Sequence, residues 1–320
     1  MKSNTMKKPN YIVAADALED WREDLLTGKP PTLYRVAESG PLAEIEIGPK
    51  LITLFGGAPG AGKTALVMQG CFEALRINPT LRCVVCNVEM PPEVLLERQL
   101  SRLSGVPLSA IRHRRIEAEH AERIDAGFAM LAEVVDRLAF TRPPFDLANV
   151  AAVADAFAPL SSGGGTLLVL DYLQRINVPG HGGDQRTAID AAMGFVRQFA
   201  DAGAAVVAVA AVGRQKDSRG RSGYAAESMN QGSFRGSSEL EFGADSAFIL
   251  TAGDDDAEPN RRVLRHLKAR HGELCDIELT FDGSTQRFDA EDYERRDPTG
   301  LSAALAALWD TDTDGGGFDG

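Results

Sequence analysis

Leu51-Ile52-Thr53-Leu54-Phe55-Gly56-Gly57-Ala58-Pro59-Gly60-Ala61-Gly62-Lys63-Thr64 is an apolar run that breaks into a glycine-rich loop and closes on a lysine and a threonine. Residues Gly57 to Thr64 fit the spacing GxxxxGK followed by Ser or Thr, and the helical stretch ALVMQGCFEAL comes directly after them. A polyphosphate needs many donors at short range. The glycines let backbone N–H groups turn inward, and the helix that follows presents its positive end to the anion. The pattern predicts a loop in which Gly57, Ala58, Pro59, Gly60, Ala61, Gly62, Lys63 and Thr64 cradle ATP. Lys63 reaches the β- and γ-phosphates, and the Thr64 hydroxyl holds Mg²⁺.

Outward from this loop, the chain alternates apolar strand-like runs with longer amphipathic stretches, the signature of a parallel sheet covered on both faces. Strands are predicted at 51–56, 83–88, 138–141, 166–171, 205–211 and 246–251. Beyond Asp254 the style changes. RRVLRHLKAR, LCDIELTF and a short run ending at Phe288, separated by His271-Gly272 and Asp282-Gly283, read as antiparallel strands. The expected class is α/β, a mainly parallel central sheet with C-terminal antiparallel hairpin strands. Residues 45–292 form the ATPase domain, and 1–44 an N-terminal arm in which 11–27 is an amphipathic helix. Residues 293–320 form a C-terminal segment with a short helix at 301–309 and a disordered acidic tail.

Composition narrows the class further. With 320 residues and 44% hydrophobic content the chain can bury one large core, and no apolar run is long enough to span a bilayer. The N-terminus MKSNTMKKPN is basic with no apolar stretch behind it, so a cytoplasmic protein is expected. Four cysteines do not make a disulfide framework. Cys83 and Cys86 fall three apart on a predicted strand and so face opposite ways, unlike a metal-binding pair. A net charge of −12 argues against a surface that binds nucleic acid throughout, but leaves room for a local basic channel.

Two carboxylates extend the site. Asp171 ends the buried run TLLVLD, as a metal-supporting aspartate does in proteins that carry this loop, although an aspartate at a strand end also serves as a helix cap. Glu89 ends the strand 83–88, which is expected to lie beside the loop-bearing strand. From there it would act as the catalytic base on a water in line with the γ-phosphate. The alternative is a cap on the helix that starts near Pro91 and Pro92.

Two loops carry the charge for a polyanion. Between Gly213 and Gly236, the cations Arg214, Lys216, Arg219, Arg221 and Arg235 face only Asp217 and Glu227, and five glycines make the stretch mobile in expectation. A flexible basic loop suits the sugar-phosphate backbone of single-stranded DNA. A second loop, 177–185, leads into Arg186 and reads either as part of the same channel or as ordinary surface.

NVEMPPEVLLERQLSRLSGVP (87–107), LDYLQRI (170–176) and HLKARHG (266–272) together resemble the C-terminal, RecA-like ATPase domain of DnaB-type replicative helicases, over roughly residues 12–290. The resemblance places the water-activating glutamate at Glu89 and the metal aspartate at Asp171. It places a K-x-R pair at Lys268 and Arg270, which on a strand share one face. In ring-shaped relatives such a pair acts as an arginine finger on the nucleotide of the neighbouring subunit, which implies a homo-oligomer, a hexameric ring. The alternative is charge guarding an edge strand. The resemblance likewise implies that the 11–27 helix docks on the adjacent subunit through Trp21, Leu25 and Leu26, where folding back on its own core is the other option. It implies single-stranded DNA as a partner, with a replication initiator or primase as a further one, and a motor of plasmid or phage type without the N-terminal collar. Two positions depart from the family pattern: Ala211 stands where a γ-phosphate-sensing glutamine is usual, and Gly236 where a DNA-contacting turn has an acidic residue. Both weigh against unwinding more than against hydrolysis, and Ala211 favours as alternative a RecA- or KaiC-like ATPase switch that assembles on DNA or a protein partner.

Overall fold

The computed structural model describes residues 11–28, 30–157, 164–178, 180, 185–213, 215–216, 222–223, 233–234, 239–252 and 259–290, with side chains left out at 20, 185, 215–216, 222–223, 239 and 241. The expected helix at 301–309, the acidic tail, and Arg214, Arg219, Arg221 and Arg235 lie outside them, as does the Lys216 side chain. The chain divides into two compact units between Leu33 and Tyr34. The first holds helix α1 (Ala14–Leu26), which exposes Leu18, Trp21, Leu25 and Leu26.

The second unit is a nine-stranded sheet with helices on both faces. In chain order it runs β1 (Ile52–Gly57), α2 (Lys63–Ile77), β2 (Arg82–Asn87), α3 (Pro92–Ser104), α4 (Leu108–Arg112), α5 (Ala121–Ala132), β3 (Leu138–Phe140), α6 (Leu147–Ala156), β4 (Thr166–Asp171), α7 (Gln185–Asp201) and β5 (Ala205–Ala211). There follow the two-residue strands β6 (Gln215–Lys216) and β7 (Ser222–Gly223), which pair with each other as a separate small sheet, then α8 (Glu239–Gly243) and β8 (Ser246–Ala252). The chain continues through β9 (Arg261–Ala269), β10 (Ile277–Asp282) and β11 (Arg287–Ala290). The sheet order is β11-β10-β9-β8-β1-β5-β4-β2-β3. Strands β8 to β3 in that order are parallel, and β9, β10 and β11 add on antiparallel, as the His271-Gly272 and Asp282-Gly283 turns predict.

Alternation along the strands divides the core in two. Phe55, Cys83, Val85 and Val169 face α2, α3 and α5, while Ile52, Leu54, Val84, Cys86 and Leu168 face α6, α7 and α8. Cys83 and Cys86 thus lie on opposite faces, and Cys83 meets Cys71 of α2 at an Sγ–Sγ separation of 3.1 Å. Each fully buried Leu or Ile contributes about 1.5–3 kcal/mol, so truncating any one in these layers removes a sizeable part of a domain's net stability.

Two sequence expectations are corrected. Strand β2 does not lie beside β1: β5 and β4 stand between them, because the chain first places β3 on the outer side of β2 and then crosses back to lay β4 and β5 on its inner side. The compact unit starts at Tyr34, where residue 45 is expected from sequence; Tyr34, Val36 and Leu42 are buried in the same cluster as Ile45 and Ile47. Among the described residues no helix is long and apolar enough to cross a membrane.

Candidate nucleotide site

All parallel strands end on the same edge of the sheet, and the site is built there. Strand β1 runs into the loop Ala58–Gly62, and α2 starts at Lys63. Gly62 caps that helix at φ 100, and a Cβ on it would meet the Phe288 ring at 2.7 Å, so both backbone and space require glycine there. The first turn of α2 thereby aims its free N–H groups over the loop. Lys63 Nζ donates to the carbonyls of Gly57 and Ala58, both at 2.8 Å, and so lies folded over the loop it serves. Burial lowers its pKa, while Asp171 and Glu89 pull it back up.

Asp171, at the end of β4, is 5% exposed. Its Oδ2 accepts from Thr64 Oγ1 at 2.7 Å and from Asn87 Nδ2 at 2.8 Å. Burial pushes its carboxyl pKa up; the Thr64 bond opposes this, Glu89 adds to it, and Lys63 and Arg98 oppose it. A hydroxyl and a buried carboxylate beside a phosphate-binding loop form a hard-oxygen donor set, which fits Mg²⁺ held through one carboxylate and substrate phosphates. Asn87 continues the chain of contacts, since its Oδ1 accepts from the backbone N–H of Glu89 at 3.0 Å and of Met90 at 2.7 Å. The turn carrying Glu89 is therefore latched to Asp171. This latch brings Glu89 to the loop although β2 stands three strand spacings, about 14 Å, from β1. The helix-cap reading of Glu89 does not hold, because Pro91 occupies the N-cap of α3 and no side chain caps it. The Glu89 carboxylate instead lies 3.8 Å from Arg175.

Lys268 and Arg270 sit at the opposite edge of the sheet. Lys268 Nζ and Arg270 Nη2 both donate to the Phe242 carbonyl, at 3.0 and 3.5 Å, so they share a face as their spacing predicts. Arg270 Nη1 also donates to Asp245 Oδ1 at 2.6 Å, and the other oxygen of Asp245 accepts from the N–H of Ile52 at the start of β1. Strand β9 pairs with β10 from Arg261 as far as Leu264, so among the described strands the half bearing Lys268 pairs with β8. Arg186 is exposed in the first turn of α7.

The sequence matches the family model for the DnaB-like helicase C terminal domain over residues 47–290. The chain belongs to that family. Two of the solved structures similar to it illustrate the fold. The structure described as "ATPase Domain of G40P" matches with a TM-score of 0.75 at 15% identity, covering 87% of this chain and 99% of that one. The structure described as "The Structure Of A DnaB-Like Replicative Helicase And Its Interactions With Primase" matches with a TM-score of 0.72 at 15% identity, covering 89% of this chain and 68% of that one. The fold is the RecA-like α/β ATPase domain of DnaB-like helicases, and the protein is an ATP-hydrolysing enzyme of the replicative helicase type.

Sequence reasoning singles out Lys63, Thr64, Glu89 and Asp171, which the DnaB-like fold brings together, and Lys268 and Arg270, which it holds apart from them. It misses Asn87, Gln174, Arg175 and Asp245. Asn87 and Arg175 carry a usable signal, each being a polar residue within a few positions of a strand-end carboxylate. Asp245 gives no such signal, since it matters through Ile52 and Arg270, both distant in sequence.

Proposed function

We propose that this DnaB-like ATPase is a cytoplasmic, Mg²⁺-dependent motor that closes into a ring, a hexamer in expectation, and moves along single-stranded DNA as a helicase of plasmid or phage type. Primase or a replication initiator are the partner classes that go with such a motor. One observation carries the ring. Arg270 is tied to the N-terminal end of β1 and the phosphate loop leaves its C-terminal end, five residues or about 16 Å further along, beyond the reach of an arginine side chain. A finger at that edge serves a nucleotide only on another subunit. The exposed Trp21, Leu25 and Leu26 of α1 offer apolar anchors for such a neighbour.

In this reading the loop N–H groups and Lys63 bind the triphosphate. Thr64 and Asp171 would hold Mg²⁺, which supplies charge neutralisation between the β- and γ-phosphates. Glu89 accepts the proton of the attacking water. Arg270 of the adjacent subunit, with Lys268 beside it, stabilises the charge that develops as the phosphoryl group leaves. Arg186, Arg214, Lys216, Arg219, Arg221 and Arg235 contact the phosphates of the strand. Ala211 favours a second reading, a RecA- or KaiC-like switch without unwinding, because an alanine cannot sense phosphate through its side chain. Turnover of ATP with and without an oligo-dT strand tests the motor, with stimulation expected. Displacement of a fluorescent strand from a forked duplex separates the readings: displacement supports the helicase, and stimulation without displacement supports the switch.

A further inference from the structure

We propose that the single turn Leu173–Arg175, which follows Asp171, positions the Glu89 carboxylate, with Arg175 holding the carboxylate and Gln174 fixing the turn in place. The inference rests on Glu89 being the catalytic base. Arg175 Nη1 lies 3.8 Å from Glu89 Oε1, and its guanidinium sits 5.8 Å from the centre of the Tyr172 ring. Gln174 faces the other way and grips the backbone of Ala211 with both ends of its amide. Nε2 donates to the Ala211 carbonyl at 3.2 Å, and Oε1 accepts from the Ala211 N–H at 3.1 Å. Pairing between β4 and β5 ends at Leu170 and Ala208, so the Gln174 side chain carries the connection between these segments beyond the ladder, to the end of β5. Ala211 is in turn paired with Gly57, the residue at which β1 enters the phosphate loop. The turn is thus anchored to the frame that holds the phosphates, and Arg175 extends from it to the base.

The side chains of Glu89 and Arg175 are 49% and 58% exposed, so their attraction adds little to folding stability. Its effect is on direction. A glutamate has three rotatable bonds, and a base that must meet one water in line with the γ-phosphate gains from a fixed cation on one side. Asn87 fixes the backbone of the same residue, which leaves the side chain as the remaining freedom. Arg175 is accordingly a positioning residue that acts through Glu89.

Single-turnover hydrolysis and nucleotide titration on the full chain with Mg²⁺ and ATP test this. Arg175→Ala should lower the rate about tenfold while nucleotide affinity stays within about twofold, the pattern of a misplaced group rather than a lost binding contact. Arg175→Lys should recover part of the rate. Gln174→Ala should slow turnover in the same direction. In a Glu89→Gln background, Arg175→Ala should cause no further loss. A wild-type rate in Arg175→Ala, or an equal further loss in the Glu89→Gln background, would overturn the inference. Glu89→Gln inactive with Arg175→Ala normal sinks this inference alone, whereas Glu89→Gln at the wild-type rate sinks the base assignment beneath it.

Discussion

Arg270 and Asp245 are joined twice in this DnaB-like chain: the Arg270 guanidinium donates to the Asp245 carboxylate at 2.6 Å, and the Arg270 N–H donates to the Asp245 carbonyl at 2.9 Å. The same carboxylate accepts from Ile52 at the root of β1 and lies 3.4 Å from Arg197 of α7. A residue proposed to act on a neighbouring nucleotide is thereby braced against the strand that leads to its own. Asp245→Asn should keep an acceptor for Ile52 and lose the charge that holds Arg270. Stability should fall by no more than about 1 kcal/mol, because the Arg270 side chain is 46% exposed and its attraction is screened. Turnover should fall about tenfold with nucleotide affinity unchanged. Denaturant melts and a nucleotide titration check the two parts separately.

Lys63→Ala and Glu89→Gln should differ in kind. The first removes a charge from the phosphate loop and should weaken nucleotide binding. The second should keep binding and lose turnover by about 10²–10⁴, the range for a general base. Nucleotide titration and phosphate release distinguish them, and a wild-type rate in Glu89→Gln would contradict the assignment.

Asp171→Asn should stabilise the nucleotide-free protein while abolishing turnover. Burial makes the charged carboxylate costly and raises its pKa, and the amide oxygen of Asn can still accept from Thr64 and Asn87. A pKa raised in the folded state contributes stability that is present at low pH and lost as pH rises through the folded value. The gain from Asn should therefore be fullest above the raised pKa, shrink as pH falls through it, and vanish below the ordinary value of 3.8. Thermal melts of both proteins across that range provide the check, and Mg²⁺ with ATP should stabilise the parent more than the variant.

The strand, loop and helix around Lys63 are legible from sequence because their geometry is local: a glycine pattern, an apolar run before it and a helical run after it. The bounds of β4 and β5 and the antiparallel β9–β11 hairpins follow from the same short-range cues. Strand order is not local. Nothing in residues 83–88 records that β5 and β4 will separate them from β1, and so the position of Glu89 depends on a latch through Asn87 that reaches 84 residues to Asp171. Gln174 and Asp245 owe their roles to contacts spanning 37 and 193 residues. Tyr34 is missed because the prolines before it read as a linker, while its ring buries into the core.

Binding of single-stranded DNA should weaken steeply with salt and show little sequence preference, because its contacts are proposed to be cations on phosphate. Neutralising Arg214, Arg219 and Arg221 together should reduce the slope of log affinity against log salt by about 2, at about 0.7 for each contact to a single strand. Fluorescence anisotropy with oligo-dT at several salt concentrations measures it, and an unchanged slope places the DNA site elsewhere.

Catalysis is proposed to need two subunits, with Lys63 on one and Arg270 on the next. Subunits carrying Lys63→Ala keep a finger and lack a working pocket. Subunits carrying Arg270→Ala keep the pocket and should lose turnover by about 10³, the scale of other arginine fingers. The two are mixed, and energy transfer between labelled subunits establishes that they exchange. ATP turnover is then measured against the fraction of each. Mixed rings should regain part of the activity that both parents lack; exchanged rings that stay as inactive as either parent would contradict the account and leave Lys268 and Arg270 as charge on the open side of β9.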